Sequence, residues 1–273
     1  MRAIKVKTFE IGPKKPLVVM CGPCVIESED HALKTASDLK KIFDRAGVHL
    51  IYKSSYDKAN RSSFHSFRGP GLEEGLRILT RIQEEFDLPV VTDVHSPDEA
   101  KLAGNVCDMI QIPAFLCRQT DLVTAAALSG AIVSVKKGQF MAPWDMVNVI
   151  KKIEQGGNEK IILVERGATF GYNNLVSDMR AIPIMQNFGY PVCFDATHSA
   201  QLPGGQGETS GGQREFIPLL AQASLAAGAN CLFMEAHPDP THAKSDAATV
   251  LDFTALPKLL PRLKALYEFI QDV

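Results

Sequence analysis

Short, nearly continuous apolar runs recur along the chain, most of them ending in a charged or metal-capable residue. There are eight, and they read LVVMCG, VHLIYKSS, PVVTDVH, DMIQIP, AIVSVKK, KIILVERG, PVCFDATH and NCLFMEAH. Runs rich in Val, Ile and Leu without polar alternation are typical of strands buried on both faces. Helix-length segments separate these runs, so the pattern predicts an α/β fold, a closed (β/α)8 TIM barrel.

The helix-length segments have an amphipathic pattern of their own. Six are clear: SEDHALKTASDLKKIFDRAG, GLEEGLRILTRIQEEF, DLVTAAALSG, DMVNVIKKIEQGG, EFIPLLAQASLAAG and LPKLLPRLKALYEFIQDV. The first begins with an acidic, Ser-containing turn and ends at Gly, as capped helices do. We therefore predict a helix in each of these segments.

The N-terminal segment is patterned differently from the rest. IKVKTFEI alternates polar and apolar residues well enough to predict a short β-strand or half of a hairpin, which we expect to cap the barrel floor. The chain has 273 residues. Because α/β barrels commonly run to about 250 residues, we expect a single barrel domain over residues 1–273.

The amino-acid composition argues against some classes of binding partner. A net charge of −2 argues against bulk attraction to nucleic acid, and no apolar stretch reaches the roughly 20 residues needed to span a bilayer. The N-terminus is basic but has no apolar core, so we expect no secretory signal. The six cysteines fit a reducing cytoplasm better than a disulfide framework. We expect a cytoplasmic protein whose partners are small molecules.

The ends of the predicted strands carry the candidate chemistry. In such barrels the carboxyl ends of the strands form the active face. Here those ends offer Cys24, Lys53, Asp93, Gln111, Lys136, Arg166, His198 and Glu235. Three long connections, residues 53–71, 198–214 and 235–246, are predicted on the same face, since long irregular loops in a compact domain are usually functional.

Cations are numerous at these ends and predict an anionic ligand. Lys53, Lys58, Lys136 and Arg166 would converge on one barrel mouth. They would repel each other there unless an anion normally binds. Lysines together with an arginine fork suit phosphate and carboxylate groups, so we predict a phosphorylated substrate. Alternation along the strand leaves open whether Lys136 or Lys137 points inward.

A second group of residues has the composition of a metal site. Cys24, His198 and Glu235 end the first, seventh and eighth strands, which are neighbours in a closed barrel, and Asp246 follows in the next loop. One thiolate, one imidazole and two carboxylates suit a divalent transition metal. The alternatives are that Cys24 is an inert small apolar residue and that His198 is a general base. His237 and His242 are competing ligands.

Longer segments resemble a known family. They read GPCVIES, KSSYDKANRSSFHSFRGPGLEEGL, TDVHSP, QIPAFLCRQTDL, VKKGQFMAPWDM, GGNEKIILVERGATFGYNNLVSDM, FDATHSAQLPGGQ and EAHPDPTHAKSD. They closely resemble the 3-deoxy-D-manno-octulosonate 8-phosphate synthases, from about residue 17 to about residue 260. The resemblance implies a (β/α)8 barrel that condenses phosphoenolpyruvate with D-arabinose 5-phosphate, releases inorganic phosphate and supplies lipopolysaccharide biosynthesis.

The resemblance also implies roles for individual residues. The positions that match the phosphoenolpyruvate site are Lys53, Lys58, Gln111, Ala114, Lys136 and Arg166. Asn60, Arg61 and Ser62 match the segment that recognises arabinose 5-phosphate. Arg118 matches an arginine that reaches the sugar phosphate of a neighbouring subunit, which implies an oligomer, usually a homotetramer. As catalytic residues we expect Lys58, Asp93 and His198.

The family has a metal-dependent and a metal-independent branch, and this chain resembles the first. The metal-independent branch has Asn at the position of Cys24. The presence of Cys24, His198, Glu235 and Asp246 implies a divalent ion such as Mn, Fe, Zn or Cd, which either orients the aldehyde or polarises the attacking water. The chain departs from the family at Ala247 and Ala248, where a Gly-containing turn is usual, so the path of that loop is left open.

Two other functions compete with this one. A 3-deoxy-D-arabino-heptulosonate 7-phosphate synthase, which uses erythrose 4-phosphate, shares the barrel, the metal ligands and phosphoenolpyruvate. Its sugar segment typically reads KPRTS, whereas this chain has KANRSS. A non-catalytic barrel that binds a phosphorylated metabolite for regulation is the second alternative. It would tolerate the loss of a site residue, and here every expected position is filled.

Overall fold

The computed structural model describes residues 1–61, 63–204 and 211–272. Within these residues eight parallel strands lie side by side in the order of the chain. They are Val18–Gly22, His49–Lys53, Val90–Asp93, Met109–Ile112, Ile132–Lys136, Ile161–Glu165, Val192–Asp195 and Cys231–His237. Each coincides with one of the apolar runs.

The sheet closes on itself. Cys193 of the seventh strand pairs with Cys231 of the eighth, and Cys231 pairs in turn with Val18 of the first. All of these pairings are parallel. The predicted (β/α)8 barrel is confirmed.

Helices follow the barrel strands and pack around the outside. In the described residues the α-helices are Glu29–Ala46, Leu72–Phe86, Pro97–Gly104, Thr120–Leu128, Met146–Gln155, Ala181–Gln186, Ile217–Ala226 and Leu256–Gln271. The six predicted helices are confirmed. Pro97–Gly104 and Ala181–Gln186 were not predicted, because eight and six residues are too few to show a clear helical period.

Side chains alternate between the two faces of each strand. One set packs outward against the helices, as Val19, Leu50 and Val133 do. The other set fills the barrel interior: Val18, Met20, Ile51, Val91, Met109, Ile132, Ile162, Val164, Cys193, Cys231 and Phe233. Because the side-chain period of a strand is two residues, the next inward-facing residue lies two positions after each of these. At many strands that next inward-facing residue is polar.

An antiparallel hairpin closes the amino-terminal end of the barrel. Its strands are Ile4–Val6 and Phe9–Ile11, with Ile4 opposite Ile11. The side chains of Ile4, Val6 and Ile11 are buried in the same cluster as the interior residues. The predicted cap on the barrel floor is confirmed.

Short elements shape the opposite end. Two antiparallel pairs, Ala168–Thr169 with Leu175–Val176 and Gln201–Leu202 with Gly211–Gly212, and the strand Leu251–Asp252 lie in the connections. The 3₁₀ turns are Ala114–Leu116, Pro143–Asp145, His198–Ala200, Arg214–Phe216 and Phe253–Ala255. In residues 1–61, 63–204 and 211–272, no helix has the length and apolar character to cross a membrane.

Candidate active site

A cavity of about 450 Å³ opens at the carboxyl ends of the barrel strands. Its lining includes predicted residues from the strand ends and the connections that follow them: Lys53, Lys58, Asn60, Arg61, Asp93, Ala114, Lys136, Arg166, His198 and Asp246. Gln111, Cys24 and Glu235 contact these lining residues directly. The structure therefore brings nearly all of the predicted site residues to one place.

The strand period explains why these side chains meet. Lys53 lies two positions after Ile51, and Asp93 lies two positions after Val91. Both apolar residues fill the barrel interior, so the side chains that follow them point to the same axis. Gln111, Arg166 and Glu235 follow interior residues at the same offset.

Asp93 connects the phosphate-binding candidates to one another. Its Oδ1 accepts a hydrogen bond from Gln111 Nε2 at 2.7 Å, and its Oδ2 accepts one from Ser55 Oγ. Lys53 Nζ and Lys58 Nζ lie 3.4 and 3.9 Å from Oδ2. Burial would raise the pKa of Asp93, but the two ammonium groups outweigh it and hold the pKa well below its usual value. Asp93 is thus an ionised anchor between two lysines.

The structure distinguishes the two adjacent lysines of the fifth strand. Lys136 lines the cavity, and its Nζ lies 2.7 Å from Asp195 Oδ2. Lys137 points the other way and donates to backbone carbonyls, including that of Gly167 at 3.2 Å. Its Nζ also lies 3.7 Å from Glu165 Oε2. Only Lys136 is placed to meet a ligand in the cavity.

Arg166 has one buried guanidinium nitrogen that makes no hydrogen bond within the described part of the chain. Its Nη2 donates to Gln201 Oε1 at 3.2 Å and to the carbonyl of His198 at 3.4 Å. Its Nη1 is buried and has no hydrogen-bond partner in the described part of the chain. A buried, unpaired guanidinium nitrogen is costly, and an anion in the cavity would satisfy it.

His198 is oriented by a carboxylate that sequence reasoning missed. Its Nδ1 lies 2.8 Å from Asp195 Oδ2, which directs Nε2 towards Glu235 and Asp246, at 3.7 and 3.6 Å. Burial would lower the pKa of His198, but the Asp195 carboxylate outweighs burial and raises it. Asp195 follows interior Cys193 at the two-residue offset, and that signal would have identified it.

The four predicted metal ligands lie together beside the cavity. Ligand atoms of Cys24, Glu235 and Asp246 lie within 4.8 Å of one another, and His198 Nε2 completes the group. Cys24 Sγ donates to Asp246 Oδ2 at 3.2 Å and lies 2.8 Å from Ser245 Oγ. Burial, reinforced by the two nearby carboxylates, raises the pKa of Cys24 well above its usual value.

This donor set fits a divalent transition-metal ion. A metal-binding histidine commonly donates its second ring N–H to a carboxylate, which fixes the tautomer. The hydrogen bond between His198 Nδ1 and Asp195 Oδ1, at 3.0 Å, has this form. The thiol of Cys24 would lose its proton when a cation binds, and His198 would bind through an unprotonated Nε2, as is usual for such ligands.

The competing histidine ligands lie elsewhere. His242 is exposed and contacts Asp239. His237 lies 3.2 Å from Glu27 Oε1, outside the ligand group. The loop after Asp246 has a definite path in spite of Ala247 and Ala248, because the carbonyl of Asp246 accepts hydrogen bonds from Thr249 N and Val250 N.

Only some of the residues predicted to bind the sugar phosphate lie at the cavity. Asn60 and Arg61 line the cavity mouth, and Arg61 Nη2 donates to the carbonyl of Lys244 at 3.3 Å. Ser62 lies outside the described residues. Arg118 is exposed and does not line this cavity, and its carbonyl accepts from Lys152 Nζ at 2.9 Å.

Four more site residues were not predicted. Ser55 and Gln201 hydrogen-bond to Asp93 and Arg166, and Ser245 contacts Cys24. The ring of Phe233 lies under two cations, with Lys136 Nζ 4.1 Å and Lys53 Nζ 5.2 Å from its centroid. Small polar and aromatic residues are common throughout the sequence, so only the fold identifies these.

Comparison with known proteins agrees with this geometry. The model of the DAHP synthetase I family matches residues 2–272. A 2-dehydro-3-deoxyphosphooctonate aldolase of Protochlamydia amoebophila is 72% identical over 271 residues, which cover 99% of this chain and 98% of that protein. Proteins of the same name are 56% identical in Trichlorobacter lovleyi, over 97% of both chains, and 55% identical in Acidithiobacillus ferrooxidans, over 97% and 94%.

Proposed function

Because this chain belongs to the DAHP synthetase I family, we propose that it makes 3-deoxy-D-manno-octulosonate 8-phosphate and inorganic phosphate from phosphoenolpyruvate, D-arabinose 5-phosphate and water. Relatives that are 72% and 56% identical over nearly the whole chain carry the name 2-dehydro-3-deoxyphosphooctonate aldolase. The observation that carries the proposal is the convergence of Lys53, Lys58, Lys136 and Arg166 on one cavity. The enzyme is a C–C bond-forming transferase.

The four cations offset the electrostatic repulsion between the two anionic substrates, which the reaction must bring close together. Phosphoenolpyruvate brings a phosphate and a carboxylate, and we assign these groups to the four cations with Gln111 and Ala114 beside them. The unpaired Nη1 of Arg166 supports this assignment, since a guanidinium fork binds such groups through two parallel hydrogen bonds. When both reactants are bound in one cavity, the bimolecular reaction becomes effectively unimolecular.

The bond changes then follow from the position of the substrates. C3 of phosphoenolpyruvate attacks the aldehyde carbon of arabinose 5-phosphate, whose oxygen takes up a proton, and water adds at C2. The C2–O bond to phosphate then breaks to leave a ketone at C2, and the two protons of the water end on the new hydroxyl group and on the released phosphate. Lys58 remains cationic beside Asp93 and Glu235, because the charge of the nearby acidic groups outweighs burial and raises the pKa of Lys58. It is therefore suited to stabilise charge on the phosphate as it leaves. Asp93 keeps the lysines in place, and a His198 free of metal would be the candidate for proton handling.

Cys24, His198, Glu235 and Asp246 are the residues that would hold a divalent ion. Such an ion supplies Lewis acidity, which polarises a carbonyl oxygen or a water molecule. The support is the mutual proximity of the ligand atoms of Cys24, Glu235 and Asp246 and the approach of His198 Nε2 to the two carboxylates. The Asp195 carboxylate on the other side of the His198 ring adds to it. Because a ligated imidazole nitrogen cannot also take up a proton, a bound ion would leave His198 as a ligand and not a base.

We also propose a homotetramer in the cytoplasm. Large exposed side chains occur in successive loops after the fourth, fifth and sixth barrel strands: Phe115, Phe140, Trp144, Phe170 and Tyr172. Two of these loops are joined by the hydrogen bond from Thr169 N to the carbonyl of Gln139, at 2.9 Å. Clustered exposed apolar residues mark interaction surfaces, and Arg118 follows directly on the first of these loops.

The first test of the proposed function compares two aldose phosphates. With phosphoenolpyruvate and a divalent ion present, we expect phosphate release with D-arabinose 5-phosphate at a kcat/KM at least about a hundredfold above that with D-erythrose 4-phosphate. A site built to bond the additional hydroxyl discriminates by such factors or more. Phosphate is measured by a coupled assay, and mass spectrometry identifies the eight-carbon product.

Two results would contradict the proposal. Equal or better turnover with erythrose 4-phosphate would make this chain a 3-deoxy-D-arabino-heptulosonate 7-phosphate synthase. Binding of both substrates without any release of phosphate would favour the non-catalytic barrel.

A second test concerns Arg118. If it reaches the sugar phosphate of a neighbouring subunit, the Arg118→Ala variant should raise the KM for arabinose 5-phosphate about tenfold, because a charge-assisted hydrogen bond is lost. The KM for phosphoenolpyruvate and the tetramer mass from light scattering should not change. An unchanged KM for the sugar would remove Arg118 from the site.

A further inference from the structure

The carboxylate of Glu27 contacts both ends of the connection between two of the assigned metal ligands. Glu235 lies in the eighth barrel strand, and Asp246 lies in the connection that follows. Glu27 Oε1 lies 3.2 Å from His237 Nε2, two residues after the first ligand. The same oxygen accepts a hydrogen bond from Lys244 N at 2.9 Å, two residues before the second ligand. Glu27 therefore contacts the connection where it leaves the barrel and where it returns to the site.

The segment that carries Glu27 also carries the third ligand. Cys24 lies three positions earlier in the chain and contacts Ser245 and Asp246 directly. The Lys244 peptide is held from its other side as well, because its carbonyl accepts from Arg61 Nη2 at 3.3 Å. The contacts of Glu27 and Cys24 thus join the segments after the first and the last barrel strands.

Asp246 needs such support. Its φ is 51°, in the left-handed region that residues other than glycine rarely adopt. A backbone held there persists only when the surrounding contacts fix it. A charge-assisted hydrogen bond from a carboxylate to the Lys244 N–H, close to this strained residue, is a contact of the required strength.

A second metal centre is the other use that these residues suggest. Ligand atoms of Glu27, His31 and His237 lie within 4.8 Å of one another. However, Asp239 N donates to His237 Nδ1 at 3.0 Å. In the neutral ring the proton then lies on Nε2, which has no lone pair for a cation. The geometry favours a role for Glu27 as the acceptor of the Lys244 N–H bond over a second metal centre.

We propose that Glu27 is a positioning residue for the metal ligands. By accepting the Lys244 N–H bond, with the ring of His237 lying beside the same carboxylate, it sets where Asp246 lies relative to Cys24 and Glu235. This inference rests on the proposed function, because it takes these residues as the ligand set.

The test measures metal affinity apart from catalysis. Metal-free protein is titrated with Co(II), and the absorption band of the Cys24 thiolate–cobalt pair gives the Kd. In Glu27→Ala we expect the Kd to rise about tenfold or more, as is typical when an outer partner of a metal site is lost. In Glu27→Gln the amide oxygen still accepts the Lys244 N–H bond, so the Kd should stay within about threefold of the wild type.

Glu29→Ala is the matched control. Glu29 is a nearby carboxylate that pairs with Arg77 and Arg81, and its loss should leave the Kd for Co(II) unchanged. If Glu27→Ala does not fold, Glu27→Asp provides the same test, because its shorter side chain does not reach Lys244 N. Thermal unfolding of every variant shows whether the fold is intact.

The outcomes separate this inference from the reaction. A Kd unchanged in Glu27→Ala would overturn the positioning role, and so would equal losses in Glu27→Ala and Glu27→Gln. A wild-type protein without a cobalt–thiolate band would overturn the ligand set and this inference with it. A wild type that binds Co(II) but does not turn over arabinose 5-phosphate would contradict the proposed reaction alone.

Discussion

Replacing Arg166 with alanine is expected to lower kcat/KM for phosphoenolpyruvate by about a thousandfold. Arg166 is 4% exposed, and it lines the cavity with an unpaired Nη1. Removing one partner of a buried ion pair costs roughly 3–5 kcal/mol, because the remaining charge is left uncompensated. Each 1.4 kcal/mol corresponds to about a factor of ten. Steady-state kinetics with varied phosphoenolpyruvate measures the loss.

Two further variants sharpen this experiment. Arg166→Lys keeps the charge but loses the planar fork, so it should recover only part of the activity. Arg180→Ala removes an exposed arginine that pairs with Asp178 and should change kcat/KM by less than about twofold, as surface pairs contribute little. A loss of less than tenfold in Arg166→Ala would show that Arg166 does not bind the substrate.

Removing the divalent ion is expected to abolish more than about 99% of turnover, since a Lewis acid supplies several kcal/mol of transition-state stabilisation. Activity is measured before and after chelation and after addition of Mn(II), Zn(II) or Fe(II). Readdition should restore activity, and metal analysis of each sample should follow the rate. Full activity in a verified metal-free sample would remove the ion from the reaction.

Cys24→Asn is the matched variant for this experiment. It replaces the thiol with a neutral amide that can still contact Ser245 and Asp246. If the ligand group mainly positions other residues, some turnover without metal should remain, as the asparagine-containing branch of the resembled family implies. A folded Cys24→Asn protein without any activity would show that the ion is obligatory.

The barrel and most of the cavity were predictable because both depend on a local signal. Each strand is a continuous apolar run, and the side chain that ends it faces the active end by the geometry of the fold. Lys53, Asp93 and Arg166 illustrate this, since each lies two residues after an apolar residue of the barrel interior. The same two-residue offset indicates Asp195, which lies two residues after interior Cys193. The prediction named only the residue at the end of that apolar run, His198, and so did not include Asp195.

The remaining features depend on contacts between distant segments, which a single sequence does not encode locally. The orientation of Lys137 depends on backbone carbonyls, including that of Gly167. The role of Ser245 depends on Cys24, which lies at the other end of the chain. The helices Pro97–Gly104 and Ala181–Gln186 are stabilised by packing on the barrel, which a short sequence pattern does not reveal.

The aromatic ring of Phe233 helps to fix the charged groups of the site before a substrate binds. The ring lies where the barrel interior changes from apolar to charged, and its face attracts the ammonium groups of Lys53 and Lys136. The attraction comes from the protein itself and adds to the ion pairs of the same ammonium groups with Glu235 and Asp195. The two lysines are therefore held at the cavity by fixed groups of the protein, so the positive charges that would meet an anion are preorganised.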